Sequence, residues 1–402
     1  MSSNLFAERI KDVPKSFIRE ILKVAANPEI ISFAGGLPNP DFFPAQEIEK
    51  VCSKLIKESG NDIFQYSTTE GYLPLRKYIA ARYMEKYGLK VDADEILITN
   101  GSQQGLDLLG KVLVNEGENV IIENPGYLGA IQALSVYRPY FIDIKMDEEG
   151  IDTKELEKAV NTTPVKLFYS VPNFQNPSGI TYTEERRKKV AEILKDKNIV
   201  FVEDNPYGEL RFMGEDIPPV RKYLPNGIML GSFSKIVVPS FRIGWIVAPK
   251  DIMDKLITAK QAADLHTNYF SQRVIYEYLA TYNIDDHIAK IKKAYGAQRE
   301  AMVNAIEKYF PKEVKFTKPE GGMFLWATLP EGVSSLQLFE LAIKKNVAFV
   351  PGSPFYANGG GENTMRLNYS CTNEEKIEEG IKRLGAAIKE ILENKDNEYI
   401  LM

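Results

Sequence analysis

The sequence predicts an α/β protein with a mostly parallel, seven-stranded sheet and a smaller α+β unit at its C-terminal end. Between residues 95 and 249, short apolar runs alternate with stretches of helical pattern, which is typical of a parallel sheet covered on both faces. From Ala289 onward the pattern changes to a long helix, short strands and a final helix. The predicted strands are EILIT (95–99), NVIIE (119–123), YFIDI (140–144), KLFYSV (166–171), IVFVED (199–204), IMLGS (228–232) and IGWIVA (243–248). We therefore expect a large domain over residues 51–288 and a small domain over residues 289–402.

Length and composition indicate a folded protein that can bury a core. The chain has 402 residues, of which 44% are hydrophobic and 26% are charged. Its net charge of -5 gives no reason to expect nucleic acid or an anionic membrane as a partner. The N-terminus lacks the apolar core of a secretory signal, and no run of apolar residues is long enough to span a bilayer. We expect a cytoplasmic protein with no membrane partner.

Cysteine and histidine are too scarce for a metal or disulfide framework. Cys52 and Cys371 are far apart and lack metal-ligand spacing, as is usual in the reducing cytosol. With only His266 and His287, a histidine-rich metal site or a Ser-His-Asp triad is hard to build. The glycine-rich stretch at 358–362 lacks the Lys-Ser/Thr of a phosphate-binding P-loop. We expect no metal. His287 is expected at the surface of a charged helix, and His266 is assigned a structural role, while a place near the cofactor or the dimer interface stays open for it.

One string carries more chemical information than any other. GSFSKIVVPSFRIGW (231–245) surrounds Lys235 with Ser232, Ser234 and Arg242. Hydroxyls and a guanidinium are suited to a phosphate ester, and a lysine among them is suited to forming a Schiff base with an aldehyde. A phosphate and an aldehyde together describe pyridoxal 5'-phosphate (PLP). A surface lysine in a serine-rich loop would give a similar string, so this string alone leaves both interpretations open.

Two further strings contain candidate partners for the PLP ring. Asp204 ends the apolar run at 199–204, and ligands of open α/β sheets bind beyond the carboxyl ends of the strands. A carboxylate beside the pyridine nitrogen keeps that nitrogen protonated, so that the ring accepts electrons. Asn176, in NFQNPSG (173–179), could hydrogen-bond the ring hydroxyl. A turn cap at Asp204 and an ordinary Pro-Gly turn around Asn176 would give the same strings.

The order of these strings resembles the class I aminotransferases, which are PLP enzymes of fold type I. The other matching strings are FAGGLP (33–38), YSTTEGYLPLR (66–76), TNGSQQG (99–105), NPGY (124–127), EDNPYGEL (203–210) and TMRLNYS (364–370). The wording of ISFAGGLPNPDFFP and GGMFLW is most similar to the 2-aminoadipate / kynurenine aminotransferase II branch. The resemblance covers nearly the whole chain and implies a seven-stranded sheet in the large domain. It also implies that residues 1–50 form an N-terminal arm and part of the small domain.

The resemblance also implies a phosphate site shared between two subunits. Ser102 and Gln103 open a predicted helix after the first strand, where backbone N–H groups bind phosphate well. Tyr66 matches a tyrosine that reaches the phosphate of the partner subunit, which implies a homodimer with shared active sites. The remaining implied phosphate ligands are Ser232, Ser234 and Arg242.

Other implied roles concern the ring and the substrate. Tyr127 would stack on the pyridine ring, and Tyr207 would bind its 3-oxygen together with Asn176. Arg366 matches the arginine that grips the substrate α-carboxylate as a bidentate fork, and Gly36 matches a backbone position beside that carboxylate. Asn176 would also contact the substrate.

The resemblance implies a ping-pong transamination in which Lys235 is the general base. The amino group would pass from an amino acid to 2-oxoglutarate, and 2-aminoadipate as the donor would place the enzyme in lysine biosynthesis. Kynurenine, aromatic or branched-chain donors stay open, and so does a PLP lyase on the same fold. Effector-binding domains of transcription regulators also resemble this family, but the roughly thirty residues before FAGGLP are too few for their DNA-binding domain.

A short amphipathic helix is predicted at residues 14–23, with Ser16 as its N-cap. Its apolar face consists of Phe17, Ile18, Ile21 and Leu22. Arg19 lies off that face and would be solvated in the simplest interpretation. In the aminoadipate branch, however, a similar SxIRE segment closes over the substrate, and its arginine pairs with the side-chain carboxylate. The resemblance therefore makes Arg19 a candidate substrate-binding residue.

Overall fold

A computed structural model of the chain describes residues 5–11, 13, 21 and 27–400. At the N-terminal end it contains a short helix, α1 (Glu8–Lys11), and a two-residue strand, β1 (Ile31–Ser32). No helix in this described part of the chain is long and apolar enough to cross a membrane. The cytoplasmic location stays a prediction.

All seven strands predicted between residues 95 and 249 are confirmed. They form one sheet together with a two-residue strand, Gly150–Ile151, that the sequence did not predict. The strands of this sheet are β2 (Ile96–Asn100), β3 (Asn119–Asn124), β4 (Tyr140–Asp147), β5 (Gly150–Ile151), β6 (Val165–Ser170), β7 (Val200–Asp204), β8 (Ile228–Ser232) and β9 (Ile243–Val247).

The sheet is parallel at its centre and antiparallel towards its edges. Its strand order is β2-β9-β8-β7-β6-β3-β4-β5. The neighbours from β8 to β4 in this order pair in parallel. The pairs β2·β9, β9·β8 and β4·β5 are antiparallel. The fold is therefore a mixed sheet, which agrees with the predicted α/β class and its mostly parallel core.

Helices cover both faces of this sheet, and this explains why its strands are continuous apolar runs. On one face, Leu106 and Leu109 pack in a cluster with Val120. On the other face, Leu156 packs with Ile121. Within residues 27–400, the helices are α2 (Ala45–Ser59), α3 (Leu73–Tyr87), α4 (Gly101–Leu113), α5 (Leu128–Ser135), α6 (Thr153–Thr162), α7 (Glu184–Leu194), α8 (Lys250–Ala263), α9 (Tyr269–Thr281), α10 (Ile284–Tyr309), α11 (Ser335–Lys344) and α12 (Glu374–Ile400).

A second, antiparallel sheet lies in the C-terminal part of the chain. Its order is β10-β11-β14-β13, from β10 (Lys315–Phe316), β11 (Phe324–Thr328), β13 (Val350–Pro351) and β14 (Thr364–Asn368). The strand β12 (Val347–Ala348) pairs instead with β1, in parallel, so that the N-terminal segment joins this part of the structure. The predicted domain boundaries stay a prediction, and the one between residues 288 and 289 falls inside α10.

Candidate active site

The carboxyl ends of β7 and β8 open onto a cavity of about 500 Å³. The predicted site residues that the structure describes all line this cavity, except Tyr66. They are Gly36, Ser102, Gln103, Tyr127, Asn176, Asp204, Tyr207, Ser232, Ser234, Lys235, Arg242 and Arg366. Residues that are up to 330 positions apart in sequence are thus brought to one place, at the edge of the sheet where ligands of open α/β folds bind.

Lys235 follows β8 and is half-buried. Its Nζ donates a hydrogen bond to the carbonyl oxygen of Gly36 at 2.9 Å. Burial lowers the pKa of Lys235 to about 8, and the nearby charges of Arg366 and Arg242 lower the pKa further, whereas Cys371 opposes the shift. A larger fraction of Lys235 is therefore a neutral amine near neutral pH than for an ordinary lysine. A neutral amine is the form needed by a nucleophile or a base.

Asp204 is the last residue of β7 and is only 1% exposed. Its Oδ2 accepts a hydrogen bond from the Tyr169 hydroxyl at 2.8 Å. Its Oδ1 has no hydrogen-bond partner among the residues that the structure describes. Burial raises the pKa of Asp204 to about 7, the Tyr169 hydrogen bond lowers it, and the negative charge of Glu123 raises it. A positively charged N–H group next to Oδ1 would stabilise the ionised form.

Arg242 lies against the beginning of α4. A Cβ atom at Gly101, the first residue of α4, would overlap Nη2 of Arg242, so glycine is needed there for the guanidinium to fit. Arg242 has φ of 53°, a left-handed conformation that is uncommon for arginine. The start of a helix carries partial positive charge, and a guanidinium beside it adds a full positive charge. Together they form a site for an anion such as phosphate.

Two serine hydroxyls complete this anion site. The Ser232 Oγ donates to the Ser234 Oγ at 2.8 Å. Nη1 of Arg242 donates to the Ser234 Oγ at 3.4 Å. The contact between the backbone N–H of Gln103 and the phosphate stays a prediction. The side-chain amide of Gln103 donates to the carbonyl oxygen of Gly129 at 2.8 Å. That hydrogen bond joins the first turn of α4 to the first turn of α5.

Two tyrosines, Tyr127 and Tyr207, line the same cavity as Asn176. Tyr127 directly precedes α5, and burial raises its pKa to about 12. The hydroxyl of Tyr207 accepts a hydrogen bond from the Asn176 amide at 3.5 Å. Burial also raises the pKa of Tyr207 well above its ordinary value. Both phenols therefore stay protonated at neutral pH and are available as hydrogen-bond donors.

Arg366 lies on β14 and is buried. Its Nη1 donates to Asn176 Oδ1 at 2.9 Å, and its Nη2 donates to the carbonyl oxygen of Ala34 at 2.8 Å. The guanidinium carbon lies 4.3 Å from the ring centroid of Phe324 and 5.3 Å from that of Phe355. Burial lowers its pKa to about 10, so it remains charged at neutral pH. The described part of the chain places no carboxylate in an ion pair with Arg366, and a buried guanidinium of this kind is suited to binding an anionic group of a ligand.

Among the predicted site residues that the structure describes, Tyr66 does not line the cavity. Tyr66 is 79% exposed and makes an edge contact with His266 at 5.8 Å between ring centroids. Nε2 of His266 accepts a hydrogen bond from the backbone N–H of Ser67 at 3.3 Å, which agrees with a structural role. Arg19 lies outside the described residues.

Sequence reasoning missed three aromatic residues at the site. The rings of Phe324 and Phe355 pack against the Arg366 guanidinium. The hydroxyl of Tyr169 donates a hydrogen bond to Asp204. Phe324 lies within GGMFLW, which carried the resemblance but suggested no role for a particular side chain. Tyr169 lies inside an apolar run, and only the pairing of β6 with β7 places it next to Asp204. A strand-register prediction would have been needed to find it.

The sequence profile of the family "Aminotransferase class I and II" matches residues 37–384. The chain belongs to this family. It is a PLP-dependent aminotransferase of fold type I. An aromatic-amino-acid aminotransferase of Thermococcus litoralis is 44% identical to it over 96% of this chain and 94% of the relative. A 2-aminoadipate transaminase of Thermus thermophilus is 42% identical over 97% of this chain and 98% of the relative.

A solved structure agrees closely with this fold. The kynurenine aminotransferase of Pyrococcus horikoshii superimposes with a TM-score of 0.92 at 44% identity. The match covers 96% of this chain and 97% of that chain, and that structure was solved in complex with PMP.

The described residues fit PLP. Asp204 lines the cavity and keeps one buried oxygen without a partner, which suits a protonated ring nitrogen. The guanidinium of Arg242 at the start of α4 suits a phosphate, and the Lys235 amine suits an aldehyde. The aminotransferase site therefore contains complementary groups for the three ends of the cofactor.

We expect Gly101→Ala to weaken PLP binding by about tenfold or more, because the new Cβ would displace the Arg242 guanidinium and disturb a charge-assisted contact with the phosphate. Titration of the apoenzyme with PLP measures this change. Gly88→Ala is the matched control, since Gly88 has a similar φ of 59° but open space around the Cβ position. Equal effects of the two substitutions would show that backbone strain, rather than Arg242, accounts for the loss.

Proposed function

We propose that this aminotransferase transfers the amino group of an amino acid to 2-oxoglutarate in a ping-pong reaction, with 2-aminoadipate as a donor. One observation carries this proposal: a single cavity contains a partly neutral lysine, a buried aspartate with a free oxygen, and a buried arginine. The first two groups suit PLP chemistry, and the third suits the carboxylate that every amino acid carries.

In this proposal the cofactor is bound at three places. Ser102, Gln103, Ser232, Ser234 and Arg242 would bind the phosphate, with Ser102 and Gln103 contributing backbone N–H groups at the start of α4. Asp204 would bind the ring nitrogen. Tyr127 would contact the face of the ring, and Asn176 and Tyr207 would bind its oxygen. When bound, PLP withdraws electrons from the Cα atom of an attached amino acid and makes its proton acidic.

Lys235 both anchors the cofactor and moves the proton. Its Nζ takes the proton from the substrate Cα and later gives a proton back, so it must pass through its neutral form. Burial provides that form by lowering the pKa to about 8. The carbonyl oxygen of Gly36 accepts a hydrogen bond from Nζ and orients it in the cavity.

Arg366 would bind the substrate α-carboxylate. Its guanidinium is fixed by the rings of Phe324 and Phe355, and its Nε has no partner among the described residues. Asn176 is already bonded to Arg366 and would be the next group beside the bound carboxylate. This arrangement orients the Cα–H bond without discriminating between side chains.

Lys235→Ala should abolish the visible absorption of the bound cofactor and slow transamination by at least about 10²–10⁴, the usual contribution of a positioned base. Spectra of the purified protein and glutamate formation from 2-oxoglutarate measure both effects. Lys188→Ala, which removes an exposed lysine on α7, is the control. A Lys235→Ala enzyme with parental turnover would overturn the assignment, and turnover of amino acids without glutamate formation would favour a lyase instead.

Donor choice depends on the walls of the cavity. The charged side chains that the described residues place there are Asp204, Lys235, Arg242 and Arg366, and each has a role in binding PLP or the α-carboxylate. A donor with a second carboxylate, such as 2-aminoadipate, therefore needs another cation. Arg19 is the candidate that the sequence offers, and the Thermus relative named for 2-aminoadipate supports this donor.

A second candidate is an aromatic or kynurenine donor. The cavity wall includes the apolar side chains of Leu37, Leu128 and Phe355. Leu37 is 62% exposed, which leaves its apolar surface available to a ligand. The Thermococcus and Pyrococcus relatives are named for such donors.

The substitution Arg19→Ala separates these two candidates. If Arg19 pairs with the side-chain carboxylate, its loss should lower kcat/KM for 2-aminoadipate and glutamate by about tenfold to a hundredfold. Leucine and aromatic donors should be spared. A panel of donors with 2-oxoglutarate measures this, and Lys23→Ala, which removes another charge nearby in sequence, is the control. An equal loss for all donors, or none for the acidic ones, would show that Arg19 does not bind the side chain.

We also propose a homodimer in which Tyr66 reaches the phosphate of the partner subunit. Two observations support this. Tyr66 lines no part of its own cavity and is 79% exposed. Phe64, two residues before Tyr66, has an exposed apolar side chain. So has Leu265, which precedes His266, the residue that Tyr66 contacts. Exposed apolar groups next to a functional site are typical of an interface.

Mixed dimers test this arrangement. In a dimer of a Tyr66→Phe subunit and a Lys235→Ala subunit, the site that retains Lys235 would receive Tyr66 from its partner. Random mixing should then restore about a quarter of the parental activity, because half of the dimers are mixed and each has one intact site. If Tyr66→Phe impairs the homodimer and mixing restores nothing, Tyr66 acts within its own chain.

A further inference from the structure

Tyr169 makes a buried contact that the proposed mechanism does not use. Its hydroxyl donates to Oδ2 of Asp204 at 2.8 Å, and Tyr169 is only 1% exposed. The strand register pairs Tyr169 with Val202, so that Tyr169 and Asp204 project from the same face of the sheet. Its hydroxyl is the one donor that the described residues supply to this carboxylate.

The groups around Asp204 come from several elements. Glu123 on β3 acts on Asp204 by its negative charge, and the phenols of Tyr127 and Tyr207 face it from the cavity walls. The cations that line the same cavity are Lys235, Arg242 and Arg366. Tyr169 does not line this cavity and lies among the buried residues on one face of the sheet.

We propose that Tyr169 is a positioning residue that orients Asp204 and keeps it ionised, so that the proton between Asp204 and the PLP ring nitrogen lies on the ring. This inference rests on the role proposed above for Asp204. The hydrogen bond to Oδ2 fixes the rotation of the carboxylate and leaves Oδ1 for the ring.

The direction of the effect follows from hydrogen bonding. A donor to a carboxylate stabilises the ionised form and makes the carboxylate a weaker base. Without the Tyr169 hydroxyl, Asp204 is a stronger base and draws the shared proton from the ring nitrogen to itself. A neutral ring withdraws electrons less well, so kcat falls while the KM for the amino acid changes little.

The chain contains a matched control for this substitution. Tyr182 is also fully buried, and its hydroxyl donates to Oε1 of another buried carboxylate, Glu123, at 2.7 Å. Glu123 also accepts hydrogen bonds from Ser170, Val171 and Gln175. Tyr182→Phe thus removes the same kind of hydroxyl–carboxylate bond, but at a strand carboxylate that does not line the cavity.

The experiment uses the holoenzyme loaded with PLP that carries ¹⁵N at the ring nitrogen. The ¹⁵N chemical shift distinguishes a protonated from a neutral ring. Tyr169→Phe should move the resonance toward the value of neutral pyridine. The equilibrium between the protonated and the neutral ring should change by about tenfold to a hundredfold, as expected for the loss of one hydrogen bond to a charged group. Tyr182→Phe should leave the resonance at the parental position. Asp204→Asn should move it toward neutral pyridine. The double variant Asp204→Asn, Tyr169→Phe should show the same resonance as Asp204→Asn alone.

Each other outcome overturns a different claim. If Asp204→Asn moves the resonance and Tyr169→Phe does not, the role of Tyr169 is wrong and the proposed function stands. If Asp204→Asn leaves the resonance unchanged, the role of Asp204 is wrong and that of Tyr169 falls with it. Equal movement in Tyr169→Phe and Tyr182→Phe would assign the effect to packing and overturn the inference.

A second variant covers the case in which Tyr169→Phe does not fold. A 3-fluorotyrosine placed only at position 169 keeps the ring and the hydroxyl and is a stronger donor. It should hold the resonance at the pyridinium value or move it closer to that value. Movement toward neutral pyridine would overturn the inference.

Discussion

A carboxylate that is buried with one oxygen unpartnered is costly to maintain. At the end of β7, Asp204 is buried, and its Oδ1 has no partner within the part of the chain that the structure describes. The rest of the site compensates for this cost. The Tyr169 hydroxyl satisfies one oxygen, and the cavity beside Asp204 is lined with the cationic side chains of Lys235, Arg242 and Arg366. A protonated pyridine placed at the free oxygen would complete the compensation, so binding of the cofactor and ionisation of Asp204 support each other.

A similar argument applies at the other end of the cavity with the signs reversed. Arg242 lies against the first turn of α4, where the helix itself is electropositive. Two positive groups in contact repel each other unless an anion lies between them. The Arg242 guanidinium can approach the helix start this closely only because residue 101 is glycine. The contact between these two positive groups would become favourable once phosphate binds. The cavity thus carries complementary charges at its two ends, and this fixes the direction in which PLP would lie.

Much of this could be predicted from the sequence, for identifiable reasons. The strands of the large sheet are covered on both faces, so they appear as continuous apolar runs, whereas β5 has only two residues and gives no such signal. Asp204, Ser232 and Lys235 lie at or just beyond strand ends, which is where ligands of such sheets bind. Phe324 and Phe355 could not be assigned, because their roles depend on where Arg366 lies in three dimensions.

Three buried acids near the strand ends show what the sequence alone does not distinguish. Glu123, Glu203 and Asp204 all end apolar runs, and all three are fully buried. Glu203 pairs in register with Ser170, the residue that bonds Glu123, so both glutamates project from the face opposite to Asp204. Glu123 accepts hydrogen bonds from Val171, Gln175 and Tyr182. Glu203 forms an ion pair with Arg187, with an N–O distance of 3.8 Å. Among these three acids, only Asp204 combines an oxygen without a described partner with a place on the cavity wall. Side chains alternate along a strand, so Glu203 projects to one face of the sheet and Asp204 to the other. This alternation separates an acid that stabilises the sheet from an acid that faces the cofactor site.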